Sequence, residues 1–288
     1  MSPLPTEPLV ARAVASGRLR LLRQRVARAW SGARGRLPRH VLYLHPHGVL
    51  SWRLAAGPAA DARPAQATPF ASFGHWCAAH PGADVRVRVS GRLLHSIAVD
   101  AGLQLPGADA VRRYARQQFT HYHGAQAAGW PLAVWHGRGE SGACGLHGVD
   151  LDAMVAEASR HDVRLLEMTP VWCAALAKMA AASPDFAGPG RNALLLVEGA
   201  AATWLLAEDG VIRSVRQRFM DAPHPDAVAS LVDALAAQHQ PLARPASVLG
   251  WWIEVPGESP GDVAPGYAGL TGSGSLNAVM LAEPGRPA

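Results

Sequence analysis

The clearest hydrophobic pattern in the chain lies in residues 193–220, where three apolar segments are separated by two short turns. The first turn begins at Gly199, and the second is the pair Asp209-Gly210, which favours the positive φ angles of a two-residue hairpin turn. Arg216 and Arg218 occupy alternate positions of the third segment, as expected of a half-buried strand. The pattern predicts a three-stranded meander with strands at 193–197, 203–207 and 211–219.

A similar unit occurs about 150 residues earlier in the chain. Apolar strands are predicted at 41–44 and 49–55, with a turn over 45–48 that ends in Gly48. Two strand–glycine turn–strand units favour two lobes built on related frameworks. Hairpins with glycine turns are common, so the alternative is two unrelated hairpins.

The remaining pattern alternates between helical and extended segments, which predicts α/β architecture. Asp109 and Asp150 are predicted N-caps, and Thr169-Pro170 is predicted to open a helix with the proline at its first position. Helices are predicted at 70–79, 110–123, 151–161, 171–182 and 226–238, strands at 84–90, 93–99, 131–136, 143–147, 164–168 and 248–255, and loops at 137–142 and 256–288.

Length and composition narrow the class of protein. A chain of 288 residues can form two lobes with a sizeable core. Its apolar runs stay well below the ~20 residues that cross a bilayer, and no apolar segment follows Met1 as a secretion signal would. Cys77, Cys144 and Cys173 are too few and too widely spaced for a disulfide framework or a zinc site. We therefore expect a cytoplasmic protein.

Positive charge is concentrated in the first 39 residues, which hold nine arginines and a single acid, Glu7. Apolar residues between 8 and 30 recur every three to five positions, which predicts an amphipathic helix with a basic face. Such an arm can contact an anionic membrane or an acidic partner, and the alternative is a solvated arm. The predicted contact residues are Arg18, Arg20, Arg23, Arg25 and Arg28.

Phosphate binding is the chemistry that the two glycine turns suggest, because actin-like ATPases hold phosphate at turns of this kind. Such a turn also needs an Asp two residues before the glycine to hold Mg²⁺. The equivalent positions here are Pro46 and Val197, so phosphoryl transfer lacks its electrostatic support. The sequence predicts a degenerate nucleotide pocket without efficient ATP hydrolysis, formed by Gly48, Glu198, Gly199 and Thr203.

Other constellations in the sequence give weaker signals. His45, His47, His75 and His80 would need further ligands to hold a metal, so no metal site is predicted. Residues 137–142 lack the lysine of a phosphate loop, and no arrangement of Ser, Cys, His and Asp predicts a catalytic site. The tryptophans lie in apolar segments and the charge lies in the arm, so no nucleic-acid binding is predicted.

The order of these segments resembles the PilM and GspL group, the actin-like platform proteins of bacterial type IV pili and type II secretion. The resemblance spans residues 41–255 and rests on the series rather than on one motif. Its segments are VLYLHPHGVLSW (41–52), DVRVRVSGRLLHSIAV (84–99), QLPGADAVRRYARQQF (104–119), PLAVWHG (131–137), GACGLHG (142–148), DLDAMVAEASRHDV (150–163), RLLEMTPVW (164–172) and LLLVEGAAATWLLAEDGVIRSVR (194–216).

The resemblance implies an α/β, two-lobed actin-like (ASKHA, RNase H-like) fold with a basic N-terminal arm. The predicted parts are the arm at 1–40, a first lobe at 41–170, a second lobe at 171–255 and a Gly/Pro-rich tail at 256–288. The chain departs from PilM at Pro46 and Val197, which puts ATP and Mg²⁺ binding in doubt. It departs from full-length GspL in having no transmembrane helix and no periplasmic domain.

The function implied by the resemblance is that of a non-catalytic cytoplasmic scaffold, peripheral to the inner membrane. Its expected partners are a single-pass inner-membrane platform protein, the assembly ATPase and a second copy of the chain. The enzyme alternative is an active ATPase or small-molecule kinase in which Glu198 or Asp209 supplies the missing acid. A third alternative is a membrane-surface or nucleic-acid binder that acts through the arginine-rich arm alone.

Overall fold

The computed structural model describes residues 39–54, 67–100, 102–137, 140–182, 190–199, 201–209, 211–219 and 247–253, with positions 230 and 234. Predictions for residues 1–38 and for the tail at 256–288 lie outside these ranges. The helix predicted at 226–238 is described only at positions 230 and 234, which are helical. Within the described ranges, no helix has the length and apolar character needed to span a bilayer.

Strands and helices alternate along the described part of the chain. The helices are α1 (Phe73–Ala79), α2 (Ala108–His123), α3 (Leu151–Arg160) and α4 (Val171–Ala182), with short 3-10 helices at Gly91–Leu93 and Ala125–Gly129. The strands are β1 (Arg39–His45), β2 (Gly48–Leu54), β3 (Thr68–Phe70), β4 (Asp84–Val89), β5 (Leu94–Ala98), β6 (Leu132–Gly137), β7 (Glu140–Leu146), β8 (Arg164–Pro170), β9 (Arg191–Glu198), β10 (Ala201–Glu208), β11 (Val211–Phe219) and β12 (Ser247–Ile253).

Two of the three sheets are built on the same plan. The first has the order β3-β2-β1-β4-β8, and the second has the order β11-β10-β9-β12. In each, three antiparallel strands form a meander, and the next strand pairs in parallel with the first strand of that meander. This repeated order is the RNase H-like plan of a two-lobed actin-like fold, so the predicted fold class is confirmed. The predicted domain boundaries stay predictions.

The third sheet is smaller and is inserted between β4 and β8 in the chain. Its order is β5-β7-β6, and both pairings are antiparallel. Helix α2 covers it with Val111, Ala115 and Phe119, which form a core of their own with Val134 and Ala143. This unit therefore has an apolar interior separate from the main core.

The main core includes residues of the first and second sheets and of helices α1, α3 and α4. Six consecutive residues of β1, His40–His45, are buried, as expected of a central strand covered on both faces. Leu194, Leu196 and Leu205 of the second sheet belong to the same cluster of buried residues. The two sheets are thus joined by a continuous apolar interior.

Several predicted boundaries need correction. Helix α1 begins at Phe73 with Ser72 as its cap, because residues 68–70 form β3 instead. Asp109 is not an N-cap: helix α2 begins one residue before it, and Asp109 pairs with Arg112 inside the first turn. Pro170 ends β8 rather than opening α4. The loop predicted at 137–142 is shorter, because β6 reaches residue 137 and β7 starts at residue 140.

Other predicted elements agree with the structure. The meander is confirmed: its first two strands are longer than predicted by up to three residues, and the third has the predicted bounds. Asp209 has the positive φ of 51° that its turn requires. Asp150 caps α3, its side chain accepting a hydrogen bond from the N–H of Ala153 at 2.9 Å. The strand predicted at 93–99 is β5, preceded by the 3-10 turn at Gly91–Leu93.

Candidate functional site

The two glycines of the predicted pocket lie in hairpin turns with positive φ. Gly48 is the first residue of β2 and has a φ of 141°, and Gly199 follows β9 with a φ of 54°. A Cβ atom on Gly48 would lie 2.4 Å from the carbonyl oxygen of Phe70, so β3 also requires a glycine there. Turn geometry and the approach of β3 are therefore sufficient reasons for a glycine at position 48.

Glu198 is the centre of a buried polar network that joins the two main sheets. It is the last residue of β9 and is fully buried. Its Oε1 accepts a hydrogen bond from the hydroxyl of Tyr43 on β1 at 2.8 Å. Its Oε2 accepts one from the backbone N–H of Gly91 at 3.0 Å. Tyr43 belongs to β1, and Gly91 lies just after β4. The carboxyl group of the second sheet is therefore bonded to the first sheet at two points.

Thr203 and Gln217 complete this network from the second sheet. They are directly opposite each other on β10 and β11, so their side chains share one face of the sheet. Gln217 donates from Nε2 to the carbonyl of Gly91 at 2.9 Å and accepts from the N–H of Ser96 at 3.0 Å. Among the described residues, the Thr203 hydroxyl has no hydrogen-bond partner. We call Tyr43, Gly91, Glu198, Thr203 and Gln217 the Glu198 cluster.

Burial controls the protonation of this cluster. Loss of solvent raises the pKa of Glu198 to about 7, although the hydrogen bonds from Tyr43 and Gly91 oppose the rise. Burial, together with the neighbouring Glu198 charge, also raises the pKa of Tyr43 well above its usual value. Near neutral pH the Glu198 carboxyl group is therefore divided between its charged and neutral forms.

The predicted pocket residues fall into two groups. Glu198 and Thr203 meet around Gly91, where a Cβ atom would lie 2.8 Å from Glu198 Oε2 and 3.1 Å from Thr203 Oγ1. Gly48 instead approaches the carbonyls of Phe70 and Ala71 at the edge of the first sheet. Whether either group binds nucleotide stays a prediction.

The positions that would carry metal-binding acids in an actin-like ATPase are occupied by other residues. Pro46 is exposed in the β1–β2 turn, and Val197 is buried within β9. Asp209, the other candidate replacement, accepts a hydrogen bond from the N–H of Gly190 at 2.8 Å. The eight residues of β10 separate it from Glu198 by roughly 25 Å. Glu198 and Asp209 therefore cannot serve the same site.

Three of the four histidines singled out in the sequence, His45, His47 and His80, make ring contacts with other aromatic side chains. His45 stacks on Tyr43 with ring centroids 5.6 Å apart, and burial lowers its pKa to about 4. His80 stacks on Trp76 at 5.0 Å. His75 lies in α1. Within the described part of the chain, no group of His, Cys, Asp and Glu has the arrangement of a metal site.

Sequence reasoning did not find Tyr43, Gly91 or Gln217. Tyr43 is a polar aromatic inside an apolar strand, and Gly91 follows the strictly alternating β4, so each left a weak local signal. Their partnership with Glu198 spans 155 and 107 positions of the chain and has no local signature.

Comparisons with known proteins give no match to a protein-family model and none to a curated protein. Among solved structures, the chain is similar to the cytoplasmic domain of EpsL, an inner-membrane component of the Vibrio cholerae type II secretion system. The identity is 12% and the TM-score 0.48, covering 84% of this chain and 91% of that one.

Two further structures are similar at the same level. One is a Bacteroides thetaiotaomicron protein with an actin-like ATPase fold, at 10% identity and a TM-score of 0.46. The other is a PilM–PilN type IV pilus biogenesis complex, at 10% identity and a TM-score of 0.44. Each covers 76% of this chain and 82% of its own. The group named from the sequence is represented among these structures, while the fold itself is identified by the strand order of the two sheets.

Proposed function

We propose that the chain is a non-catalytic cytoplasmic scaffold in the inner-membrane platform of a bacterial pilus-assembly or secretion machine. The order of segments that resembles the PilM and GspL group supports the kind of machine. The repeated strand order of the two sheets is compatible with it. The proposal that the scaffold has no catalytic activity is supported mainly by the position of Glu198.

Phosphoryl transfer on this framework needs carboxylates that hold Mg²⁺ beside the phosphates. Pro46 and Val197 stand at those positions, and the neighbouring carboxylate of Glu198 is buried against Tyr43 and Gly91. A buried, hydrogen-bonded carboxyl group with a raised pKa favours contacts between the sheets over a hydrated cation. In this proposal the chain acts without ATP or Mg²⁺.

The scaffold binds the cytoplasmic segment of a single-pass inner-membrane partner and also contacts the assembly ATPase. The basic arm contributes peripheral attachment to the anionic membrane surface, where each Lys or Arg contributes about 1 kcal/mol. Self-association of the scaffold into a homodimer is part of the same proposal. The arm residues assigned to the membrane are Arg18, Arg20, Arg23, Arg25 and Arg28.

The test is co-purification of the tagged full-length chain from membranes of its own host, with bound proteins identified by mass spectrometry. We expect a single-pass inner-membrane protein together with an assembly ATPase. A full-length variant with the five arm arginines changed to Ser should lose membrane attachment and keep the protein partner in detergent. Folded bait that recovers no membrane protein contradicts the proposal.

Calorimetry with Mg·ATP on the same preparation addresses the enzyme alternative. The scaffold proposal expects no binding in the micromolar range. Micromolar binding that is lost in Glu198→Gln, with the variant still folded by circular dichroism, would instead favour an ATPase or small-molecule kinase. Loss of all binding in the arginine variant would favour a membrane-surface binder that acts through the arm alone.

A further inference from the structure

The second sheet, as described, has one strand fewer than the first. In the first sheet, β4 pairs in parallel with β1 on one side and with β8 on the other. In the second sheet, β12 pairs in parallel with β9 and so takes the place of β4. Among the described strands, none takes the place of β8, and β12 has a neighbour on one side only. We call the opposite side of β12 its outer edge.

The amino-acid sequence of β12 is that of an interior strand. Outermost strands are usually protected from further pairing by charged residues, proline or a bulge. The other outermost strands of the two main sheets follow this rule. β8 contains Arg164, Glu167 and Pro170, β3 contains Pro69, and the register of β11 shifts against β10. β12 reads SVLGWWI, without charge or proline, and its pairing with β9 is continuous over all seven residues.

The chain after β12 contains a segment that suits this outer edge. Residues 276–282 read LNAVMLA, without charge, glycine or proline, and are as long as β12. In residues 256–275, by contrast, a glycine or proline recurs at least every four positions. Glu283-Pro284-Gly285 follows the segment and supplies the turn residues that bound a strand. After β12, the sequence therefore offers one segment with the length and composition of a strand.

The connection to this segment is long enough for a parallel neighbour. Parallel strands that follow each other in the chain need a crossover of a dozen or more residues, because the chain must return to the starting end of the sheet. Residues 254–275 provide 22 positions. The return over seven residues of β12 covers roughly 23 Å, whereas 22 extended residues reach roughly 70 Å.

Other parts of the chain outside the described ranges fit the outer edge less well. The apolar residues of 1–38 are interrupted by arginines, and residues 55–66 and 183–189 contain prolines. Residues 226–238 have the apolar spacing of a helix. Residues 276–282 are therefore the best candidate within the chain itself.

We propose that residues 276–282 pair in parallel with the outer edge of β12 as the fifth strand of the second sheet. Both main sheets then have the same five-strand plan. The proposal replaces part of the loop that the turn residues predict for the tail at 256–288. It goes beyond the proposed function, and it requires the scaffold to hold its partners at a surface other than this edge.

The first test is hydrogen–deuterium exchange of the full-length chain, followed by peptic digestion and mass spectrometry. Backbone hydrogen bonds slow exchange, so peptides from 276–282 should exchange at least about tenfold more slowly than peptides from 257–275. Alternate residues of a strand bond to the same neighbour, so either Val279→Pro or Met280→Pro removes an N–H that bonds to β12. That variant should lose the protection of residues 276–282 and speed exchange in β12. Val263→Pro, the control earlier in the tail, should change neither.

Disulfide formation tests where the segment lies. Neighbouring strands are about 4.8 Å apart, within the Cα separation that a disulfide spans. Leu249→Cys in the middle of β12 is combined in turn with each of five changes in the full-length chain: Asn277→Cys, Ala278→Cys, Val279→Cys, Met280→Cys and Leu281→Cys. One position should form an intramolecular disulfide more readily than the positions on either side of it, as measured by mass spectrometry of linked peptides. Leu249→Cys with Val263→Cys is the control and should form none.

Several results would overturn the inference. Residues 276–282 could exchange as fast as residues 257–275, their protection could survive both proline variants, or no cysteine pair with position 249 could form. A disulfide between two chains, seen as a dimer on a non-reducing gel, would show that a second copy occupies the outer edge. Exchange of β12 that slows only in the complex co-purified from membranes would assign the edge to a partner. The scaffold proposal fails separately, because it depends on which proteins co-purify with the chain.

Discussion

Glu198 illustrates how a single side chain can link two sheets. One donor, the Tyr43 hydroxyl, belongs to β1, and the other, the Gly91 N–H, lies just after β4 of the same sheet. The carboxylate belongs to the second sheet. Burial raises the free energy of the charged form, and the two hydrogen bonds only partly compensate. The stability of the contact between the sheets should therefore depend on the protonation of this one group.

The first prediction follows from that protonation. The folded pKa of Glu198 is about 7, above its usual value of 4.5, so the folded state binds the proton more tightly. Its stabilising contribution is complete below pH 4.5 and is lost as the pH rises to about 7. The loss is on the order of 3 kcal/mol. Glu198→Gln should remove this contribution, as seen by urea unfolding at pH 5 and pH 8.

To test the assignment, the change in unfolding free energy from pH 5 to pH 8 is measured in wild type and in Glu198→Gln, and the two changes are compared. Equal changes in both would contradict the assignment to Glu198. Tyr43→Phe is the companion variant, because the Tyr43 hydroxyl lowers the pKa of Glu198. In Tyr43→Phe the loss of unfolding free energy with rising pH should occur at higher pH, whereas in Glu198→Gln this loss should be absent.

A second residue-scale prediction concerns the close approach at Gly91. A Cβ atom there would meet Glu198 Oε2 at 2.8 Å and Gln217 Nε2 at 3.1 Å, so Gly91→Ala must displace the network. We expect a loss of about 1–3 kcal/mol in unfolding free energy, typical of overpacking. Gly129→Ala is the control, since no atom lies within 4 Å of its added Cβ. Equal stability of the two variants would contradict this account.

At the scale of elements, the boundaries depend on which residue satisfies the free N–H groups at a helix start. Asp150 does so for α3, with its side chain 2.9 Å from the N–H of Ala153. Asp109 does not, because α2 begins after Gly107, which has a φ of 86°. The N-cap position is therefore occupied by Gly107, which can adopt that angle, rather than by Asp109.

The Asp150 cap gives the third prediction. Asp150→Ala removes the acceptor of the Ala153 N–H and should lower the unfolding free energy by about 1 kcal/mol. Asp150→Asn retains a capping oxygen and should stay close to wild type. Asp152→Ala, in the first turn but not at the cap, loses only a dipole interaction of roughly 0.3–1 kcal/mol. Chemical denaturation measures all three, and equal losses in the Ala and Asn variants at position 150 would refute the cap.

Local pattern predicted most elements because apolar periodicity and turn residues are local properties. The meander β9–β11 and helix α3 were identified by such signals. Strand β3 was missed, since three residues that include Pro69 carry no alternation and pair only through β2. The partners of Glu198 were missed for a related reason: they meet only when both sheets have formed.

At the scale of the whole molecule, the third sheet lies against the second sheet. Its edge strand β5 lies beside the edge strand β11, and Gln217 bridges them through Ser96. Gln217 also bonds the carbonyl of Gly91, so one side chain links the Glu198 cluster to the third sheet.

The pH dependence of the whole chain combines two opposing effects. Burial lowers the pKa of His40, His45 and His95 to about 4, from a usual value of 6.5, and also lowers that of His147. Because the folded state holds these rings neutral, their contribution to stability is complete above pH 6.5. It is lost as the pH falls to about 4. Glu198 acts in the opposite direction over the same range.

The last prediction is that the histidines dominate, because several of them oppose one carboxyl group. Thermal unfolding temperature should therefore rise from pH 4 to pH 7. His95 stacks on His123 and His147 with ring centroids 4.0 and 4.5 Å apart, so its protonation also brings positive charge against its neighbours. His95→Phe preserves an aromatic ring without a titrating group and should reduce the loss at acid pH. A wild-type Tm that stays constant or falls over this range would show that Glu198, rather than the histidines, controls stability.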